Sequence, residues 1–307
     1  MDKKEVYLSA SRIKALETCS WSYYCKYHLN VPEESNSGAK RGTICHLVFE
    51  VLLNPRHKKH QKLITSNQDA FSSPAIYRLV LKNAKRESID NDDDLTLINK
   101  MIVVGLNTDF YPKGGSTLEP EFEFKIEGDG YKAKGFIDLP IIYKKDKVIK
   151  IRDYKSSKAK FKGDELSANV QAMLYSIASQ KYWPEYKPKV EFIFLRFPKE
   201  PVQPVEFNED QLKGFEYALK YVYEKVVNFS EKDAKENYAA DCQKSKWLCQ
   251  AGKWVCPFKN PLFFYGVYDI EGNLVKTFLH LEDAKKSKIN DSYIIKKFKY
   301  DGCPRWK

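Results

Sequence analysis

The stretch that most constrains the fold runs from Tyr131 to Lys155. Tyr131 to Ile142 reads as a strand interrupted at Gly135, Lys144-Lys145-Asp146-Lys147 as a turn, and Val148 to Lys155 as the returning strand. Residues two apart on a strand share a face, so Asp153 and Lys155 project together, in line with Ile149 and Ile151. Pairing across the hairpin brings Asp138 beside Asp153. Two carboxylates that close do not both stay ionised cheaply unless a cation sits between them. Lys155 supplies one positive charge, and it is equally suited to aiming or deprotonating a water. A divalent metal held by Asp138 and Asp153 would complete such a site. Taken alone, Asp153 and Lys155 would read as an ordinary surface ion pair.

The rest of the chain supplies partners. Up to about Asn107 the pattern is helical: Ser9 or Ser11 caps a helix through Ile13, Leu16, Trp21 and Tyr24, and a second helix covers Thr43 to Leu53. His46 with Glu50, and Gln171 with Tyr175 on a helix from about Leu166 to Lys181, stand at i, i+4 spacing among apolar neighbours. The acidic run from Asp90 to Asp94 lacks the glycine and the twelfth-position glutamate of a calcium loop (Leu95 and Met101 stand there), and reads as a solvated cap for a helix starting at Leu95. Phe122, Phe124 and Ile126 alternate with charged residues, and Val190 to Phe197 is a short apolar strand of the buried kind. Asn208 with Gln211 opens a long helix ending near Phe229. From Phe263 the pattern is β-β-α-β. The expected organisation is an α/β core over residues 1–235, a central mixed sheet flanked by helices, then a cysteine-bearing segment at 236–262 and a basic appendix at 263–307.

Charge narrows the partner. Fifty-two Lys and Arg against 41 Asp and Glu leave +11, and the 66 residues from Cys242 onward carry +7 of it. Such asymmetry suits a polyanion, nucleic acid before a membrane surface. Hydrophobic content of 43% excludes a disordered tail, and no apolar run approaches the roughly 18 residues of a membrane span. With no apolar leader in the opening residues, the expectation is a cytoplasmic protein whose seven cysteines are thiols or metal ligands rather than disulfides. Lys285, Lys286, Lys288, Lys296, Lys297 and Lys299 interleave with Tyr293, Phe298 and Tyr300, the ingredients of a contact with single-stranded DNA or DNA ends; a solvated helix and a lysine-protected edge strand are the alternative.

The order of these pieces resembles the RecB-like branch of the PD-(D/E)XK nuclease superfamily. Leu8-Ser9-Ala10-Ser11-Arg12-Ile13 followed by Cys19 is similar to the family's N-terminal signature, and Gly42-Thr43-Ile44-Cys45-His46 to its Gly-x-x-x-His motif. Gly135-Phe136-Ile137-Asp138 resembles the motif with the first metal-binding aspartate, Asp153-Tyr154-Lys155 the motif that names the superfamily, and Gln171 to Tyr175 the trailing Gln-x-x-x-Tyr. The resemblance implies a restriction-endonuclease-like core in which His46, Asp138 and Asp153 hold Mg²⁺ or Mn²⁺, the main-chain carbonyl of Tyr154 completes the shell, and Lys155 positions or activates the attacking water. Gln171 and Tyr175 would orient the lysine or the DNA backbone. Glu121 or Glu123 would stand behind the metal ligands.

Many relatives of this branch carry a [4Fe–4S] cluster, which the resemblance places on Cys19, Cys242, Cys249 and Cys256. The six-residue gaps on each side of Cys249 are wider than the family's close Cys-x-x-Cys pair, so zinc on Cys242, Cys249, Cys256 and Cys303 and unliganded thiols stay open as alternatives. Cys25 and Cys45 read as packed thiols. The expected activity is a metal-dependent deoxyribonuclease, an exonuclease acting on DNA ends or single strands in replication, recombination or repair. The alternative is a non-catalytic DNA-binding or recombination-accessory protein with the same fold. No phosphate-binding Gly-x-x-x-x-Gly-Lys-[Ser/Thr] loop occurs, so ATP-driven unwinding would need a separate helicase partner.

Overall fold

In the computed structural model, residues 5–236, 256–288, 290 and 292–306 are described. They divide into two compact units. One comprises Met1–Ala10 and Ser35–Tyr223, the other Ser11–Glu34 and Glu224–Lys307.

The first unit is organised by its buried strand. β5 (Val148–Lys155) pairs antiparallel with β4 (Leu139–Tyr143) and parallel with β6 (Lys187–Phe194); β1 (Ser116–Thr117) and β7 (Val202–Val205) complete the sheet in the order β1-β4-β5-β6-β7. Parallel pairing demands a crossover, and α7 (Asp164–Ser167) with α8 (Val170–Tyr182) provides it. The expected single helix over 166–181 is split because the Asn169 side chain accepts from the Ala172 N–H at 3.1 Å and starts α8 afresh. The opposite face of β5 meets α3 (Ser37–Leu53), which packs against α4 (Lys58–Asn67), α5 (Pro74–Arg86) and α6 (Asp92–Leu106). Phe49, Leu52, Ile98, Ile102, Tyr154 and Ile193 belong to the core between these helices and the sheet. Arg152 is buried there without an unpaired charge: Nη1 donates to the Asp109 carbonyl at 2.8 Å and Nε lies 3.3 Å from Glu191.

The acidic turn does cap α6. The cap is Asn91, accepting from the Asp94 N–H at 2.9 Å, and Asp92 to Asp94 fill the first turn, where the helix dipole favours negative charge. The helix therefore starts three residues before Leu95.

The segment read as one strand interrupted at Gly135 passes through that glycine and breaks at Asp138. β3 (Tyr131–Ile137) forms a two-stranded ribbon with β2 (Phe122–Gly128), after which the chain enters the main sheet as β4. Gly135 is opposite Phe124, and a Cβ there would approach the Phe124 ring to 2.7 Å. The glycine thus serves a close side-chain approach rather than a chain break. α9 (Glu209–Val227) starts at the expected capping box, with Asn208 N–H donating to Gln211 Oε1 at 2.9 Å and Gln211 N–H to Asn208 Oδ1 at 2.8 Å.

In the second unit the expected first helix is two, α1 (Ala10–Thr18) and α2 (Ser20–Tyr27), separated by Cys19 in extended backbone. The C-terminal β-β-α-β pattern is realised as β8 (Leu262–Tyr268), β9 (Leu274–Phe278), α10 (Leu281–Lys286) and β10 (Ile294–Tyr300), with sheet order β10-β8-β9. Tyr300 is a node of this unit: its hydroxyl accepts from Trp21 Nε1 at 2.8 Å and donates to the Phe258 carbonyl at 2.8 Å. Among the described residues no helix is long and apolar enough to cross a membrane.

Candidate active site

The site assembles around the backbone of one residue, Tyr154, at the carboxyl end of β5, where open α/β sheets place their ligands. Its N–H donates to Asp138 Oδ2 at 2.7 Å, and its carbonyl accepts from His46 Nε2 at 2.9 Å. A carbonyl can only accept, so Nε2 carries the proton, and in the neutral ring the lone pair is on Nδ1. Nδ1 faces Asp138 Oδ2 at 3.5 Å and Glu121 Oε1 at 3.6 Å. His46, Glu121 and Asp138 each offer a ligand atom within 4.8 Å of the others. An imidazole whose second nitrogen is tied to a carbonyl, facing two carboxylates, is the donor set of a hard divalent cation.

Each of these residues is placed by a local device. α3 approaches the end of β5 closely because Gly42 has no side chain: a Cβ would meet Ser156 Oγ at 2.8 Å. Ser156 Oγ also donates to the Gly38 carbonyl at 3.1 Å, and His46 follows Gly42 one turn on. Glu121 sits in left-handed backbone (φ 53°), unusual for a non-glycine residue, with its N–H on the Asp138 carbonyl at 3.0 Å. That conformation turns its carboxylate toward His46, whereas Glu123 lies on the ribbon surface, 3.2 Å from Lys125.

A second polar group lies on the other face of β5. Asp153 is buried, and its Oδ1 accepts from Gln171 Nε2 at 2.9 Å and Tyr175 OH at 3.0 Å. Lys155 Nζ donates to Gln171 Oε1 at 2.7 Å and lies 2.6 Å from Asp153 Oδ2. Gln171 Nε2 also donates to Tyr175 OH at 2.6 Å, so each hydrogen bond in the network has a defined direction. Tyr175 is held in turn by Phe124, edge to face at 6.1 Å. Asp153 Oδ2 lacks an aligned hydrogen bond despite the nearby ammonium.

Electrostatics link the two groups. Burial, reinforced by the negative charge of Asp153, raises the Asp138 carboxyl well above the usual carboxylate range, against the pull of His46 and the Tyr154 N–H. Burial opposes charging His46, but Glu121, Asp138 and the Tyr154 carbonyl outweigh it, and its pKa is raised. Both shifts describe a site short of positive charge. The His46-Glu121-Asp138 donor set fits a divalent metal ion, and Asp153 lies outside that group with its Oδ2 beside the Lys155 ammonium.

The predicted residues thus fall into two neighbouring groups: His46, Asp138 and the Tyr154 backbone, joined by Glu121, and Asp153 with Lys155, Gln171 and Tyr175. Asp153, expected as a metal ligand, is not in the His46-Glu121-Asp138 donor group. Glu50, one turn beyond His46, lines the adjoining cleft without joining the donor group. That cleft, about 670 Å³, runs past Gly42, Thr43, Arg86 and Ser156. A larger groove of about 820 Å³ lies at the other end of β5 and β6, beside Lys147 and Lys187, and none of the predicted site residues lines it.

The other sequence candidates fall in the second unit. Lys285 and Lys286 end α10, with Lys285 3.0 Å from Glu282, and Lys288 follows them. On β10 the period of two sends Lys296 to one face and Lys297 and Lys299 to the other, so these charges do not form one stripe. Lys297 covers the Phe263 ring at 4.2 Å and Lys299 pairs with Asp301 at 2.8 Å. Cys242 and Cys249 lie outside the described residues. Cys19 is buried at the start of α2, Cys256 is half-buried and Cys303 buried; Lys259 ties the last two through its backbone. The Cys25 thiol is 3.4 Å from Tyr300 OH, and burial pushes it up to about 12; Cys256, Cys303 and Cys19 are close enough to add to that shift. Cys45 is fully buried, and burial raises its thiol pKa as a packed side chain requires.

A model of the PD-(D/E)XK nuclease superfamily matches residues 7–260, which include every residue of the site around Tyr154. No curated protein matches the chain significantly. With the family model spanning most of its length over this geometry, the chain belongs to the PD-(D/E)XK nuclease superfamily.

Proposed function

We propose that this protein is a metal-dependent deoxyribonuclease, acting as an exonuclease on DNA ends or single strands in replication, recombination or repair. The observation that carries the reading is the Tyr154 backbone: its N–H and carbonyl hold Asp138 and His46, while the flanking residues of β5, Asp153 and Lys155, pair with each other. A bound Mg²⁺ or Mn²⁺ would supply Lewis acidity at the scissile phosphate and a lowered pKa for its water. His46, Glu121 and Asp138 are the residues to hold it. Lys155, directed by Gln171 Oε1, aims its remaining N–H at the attacking water or a phosphate oxygen. Tyr175 and Gln171 fix Asp153 so that its second oxygen stays beside the Lys155 ammonium.

The same reading assigns Cys19, Cys242, Cys249 and Cys256 to a [4Fe–4S] cluster, supported by the presence of Cys19 and Cys256 in one compact unit. Zinc including Cys303 is the competing assignment, favoured by the backbone link from Cys256 through Lys259 to Cys303. Iron, acid-labile sulfide and zinc contents separate the two. Unwinding of a duplex would be left to a separate helicase.

The test is digestion of end-labelled and end-blocked single- and double-stranded DNA with Mg²⁺ or Mn²⁺. Loss of labelled mononucleotides from free ends, blocked by end protection, is expected. Cutting of closed circles at the same rate would reject the exonuclease assignment. Metal-independent binding with no cutting under any of these conditions would favour the non-catalytic DNA-binding alternative.

A further inference from the structure

The second unit contains a cavity that the catalytic chemistry does not use. It measures about 310 Å³, near the lower end of ligand pockets, and is bounded by the β10-β8-β9 sheet and by the loop that follows α2. One wall is aromatic. Phe264 and Phe298 are cross-strand partners, stacked at 5.3 Å with their planes 24° apart, and Tyr268 stands 6.2 Å from Phe298. Gly266, between Phe264 and Tyr268 on the same face, lets these rings lie down on the sheet: a Cβ there would come within 2.9 Å of the Tyr268 ring and 3.1 Å of Phe298 and Leu274.

The facing wall is a formed loop. Leu29 N–H bonds the Tyr24 carbonyl at 3.0 Å and Val31 N–H the Cys25 carbonyl at 2.9 Å, while Asn30 takes the left-handed conformation that the reversal requires (φ 53°). This leaves Leu29 exposed at the opening, opposite the rings. Thr277 and the Asn30 amide, which donates to the His28 carbonyl at 3.3 Å, put hydrogen-bonding groups at the edges.

Charge decides what such a slot takes. Lys296, exposed, lies on the same face of the sheet as Phe264, Tyr268 and Phe298, 4.7 Å from the centre of the Tyr268 ring. Lys299 borders the cavity along the strand, but it projects to the other face of β10 and pairs with Asp301. A cavity with one aromatic wall, an apolar Leu29 opposite it and a cation at its edge is complementary to an unstacked nucleobase whose phosphate lies outside. In a duplex the bases are stacked and paired, and none is free to enter.

We propose that this cavity holds one unpaired base of a single-stranded DNA segment, with Tyr268 and Phe298 against the base and Lys296 on the adjoining phosphate. The proposal rests on the deoxyribonuclease reading for the identity of the polymer, and it adds a second anchoring point in the C-terminal unit.

The test is fluorescence anisotropy of the full-length protein with a labelled oligothymidylate in EDTA, so that binding is read without cleavage. Replacing Tyr268 by Ala should weaken single-strand binding about five- to tenfold, within the range for a lost base stack. Lys296→Ala, an exposed change, should reduce the slope of log affinity against log salt by about 0.7. Wild-type protein should also bind an abasic strand more weakly than oligothymidylate, a comparison that needs no variant to fold. Equal affinity of wild type for the abasic strand and oligothymidylate would overturn the proposal. So would losses in the Tyr268 variant that are the same for duplex and single strand. If the wild type binds as expected but cuts nothing with Mg²⁺ or Mn²⁺, the nuclease reading fails while the base slot stands. If it cuts normally and Tyr268→Ala binds like wild type, the slot fails alone.

Discussion

Lys155 Nζ lies 2.6 Å from Asp153 Oδ2, yet that buried oxygen has no aligned hydrogen bond. The ammonium is also held by Gln171 Oε1 at 2.7 Å. Lys155 is therefore fixed between Asp153 and Gln171, with one N–H left over for the site. Its ammonium compensates the buried Asp153 carboxylate, so Lys155→Ala should also lower the melting temperature, and activity is compared on the folded variant. With Mg²⁺, turnover of labelled DNA should fall by about 10²- to 10⁴-fold, the usual worth of a positioned proton-transfer group, with strand binding in EDTA kept. A variant that cuts as fast as wild type would remove Lys155 from the mechanism.

Tyr175→Phe deletes only the hydroxyl that donates to Asp153 Oδ1 at 3.0 Å. Gln171 still reaches that oxygen, so the fold should lose only about 1 kcal/mol. The carboxylate would be less firmly oriented, and outer hydrogen bonds of this kind are worth roughly 10- to 100-fold in activity or metal affinity. The loss should fall on kcat with KM little changed. A change confined to KM would mean that Tyr175 contacts the DNA instead.

The hairpin and its chemistry were legible because β periodicity and two aspartates leave few alternatives: Leu139 pairs with Arg152, which sets Asp138 beside the end of β5 as pattern reasoning required. Gly42 and Gly135 could be placed in motifs, but their reasons are tertiary contacts, Ser156 far along the chain for Gly42 and the cross-strand Phe124 ring for Gly135. Glu121 was the hard case. Nothing in local sequence separates it from Glu123; the choice is made by a left-handed backbone at 121 and its hydrogen bond to the Asp138 carbonyl. The split of the 166–181 helix was signalled by Asn169, a good cap standing inside an apolar run.

The Glu121 geometry makes a paired prediction. Glu121→Gln keeps shape and removes a charged donor 3.6 Å from His46 Nδ1, so Mn²⁺ affinity measured by calorimetry should drop about 10- to 100-fold. Glu123→Gln, on the ribbon surface beside Lys125, should bind Mn²⁺ like wild type. Equal losses in both would show that overall negative charge matters rather than the donor set.

Phe49 supports the site from behind, its ring 4.5 Å from that of Tyr154. It is 1% exposed, and Phe49→Ala should cost about 3–5 kcal/mol in denaturant unfolding. Because the Tyr154 backbone holds both His46 and Asp138, Mn²⁺ affinity should weaken in the folded variant as well. A destabilised protein with unchanged Mn²⁺ affinity would show that this backbone is held without Phe49.

The raised pKa values of Asp138 and His46 set a pH dependence whose sign can be worked out. In the metal-free protein each group binds its proton more tightly folded than unfolded. That stability is fully present below the unfolded values, about 3.9 for Asp and 6.5 for His, and is lost as pH rises through the folded values. Metal binding needs the carboxylate ionised and the imidazole neutral, so protons compete with the ion until those raised values are passed. The melting temperature without metal should therefore fall on the alkaline side. The increase produced by a fixed Mn²⁺ concentration should be small near about pH 6 and larger near about pH 8.5, following mass action on the native state. Thermal unfolding monitored by circular dichroism at both pH values, with and without Mn²⁺, reads this directly. A metal-induced increase that is the same at both, or larger at the lower pH, would mean that His46 and Asp138 do not bind the ion.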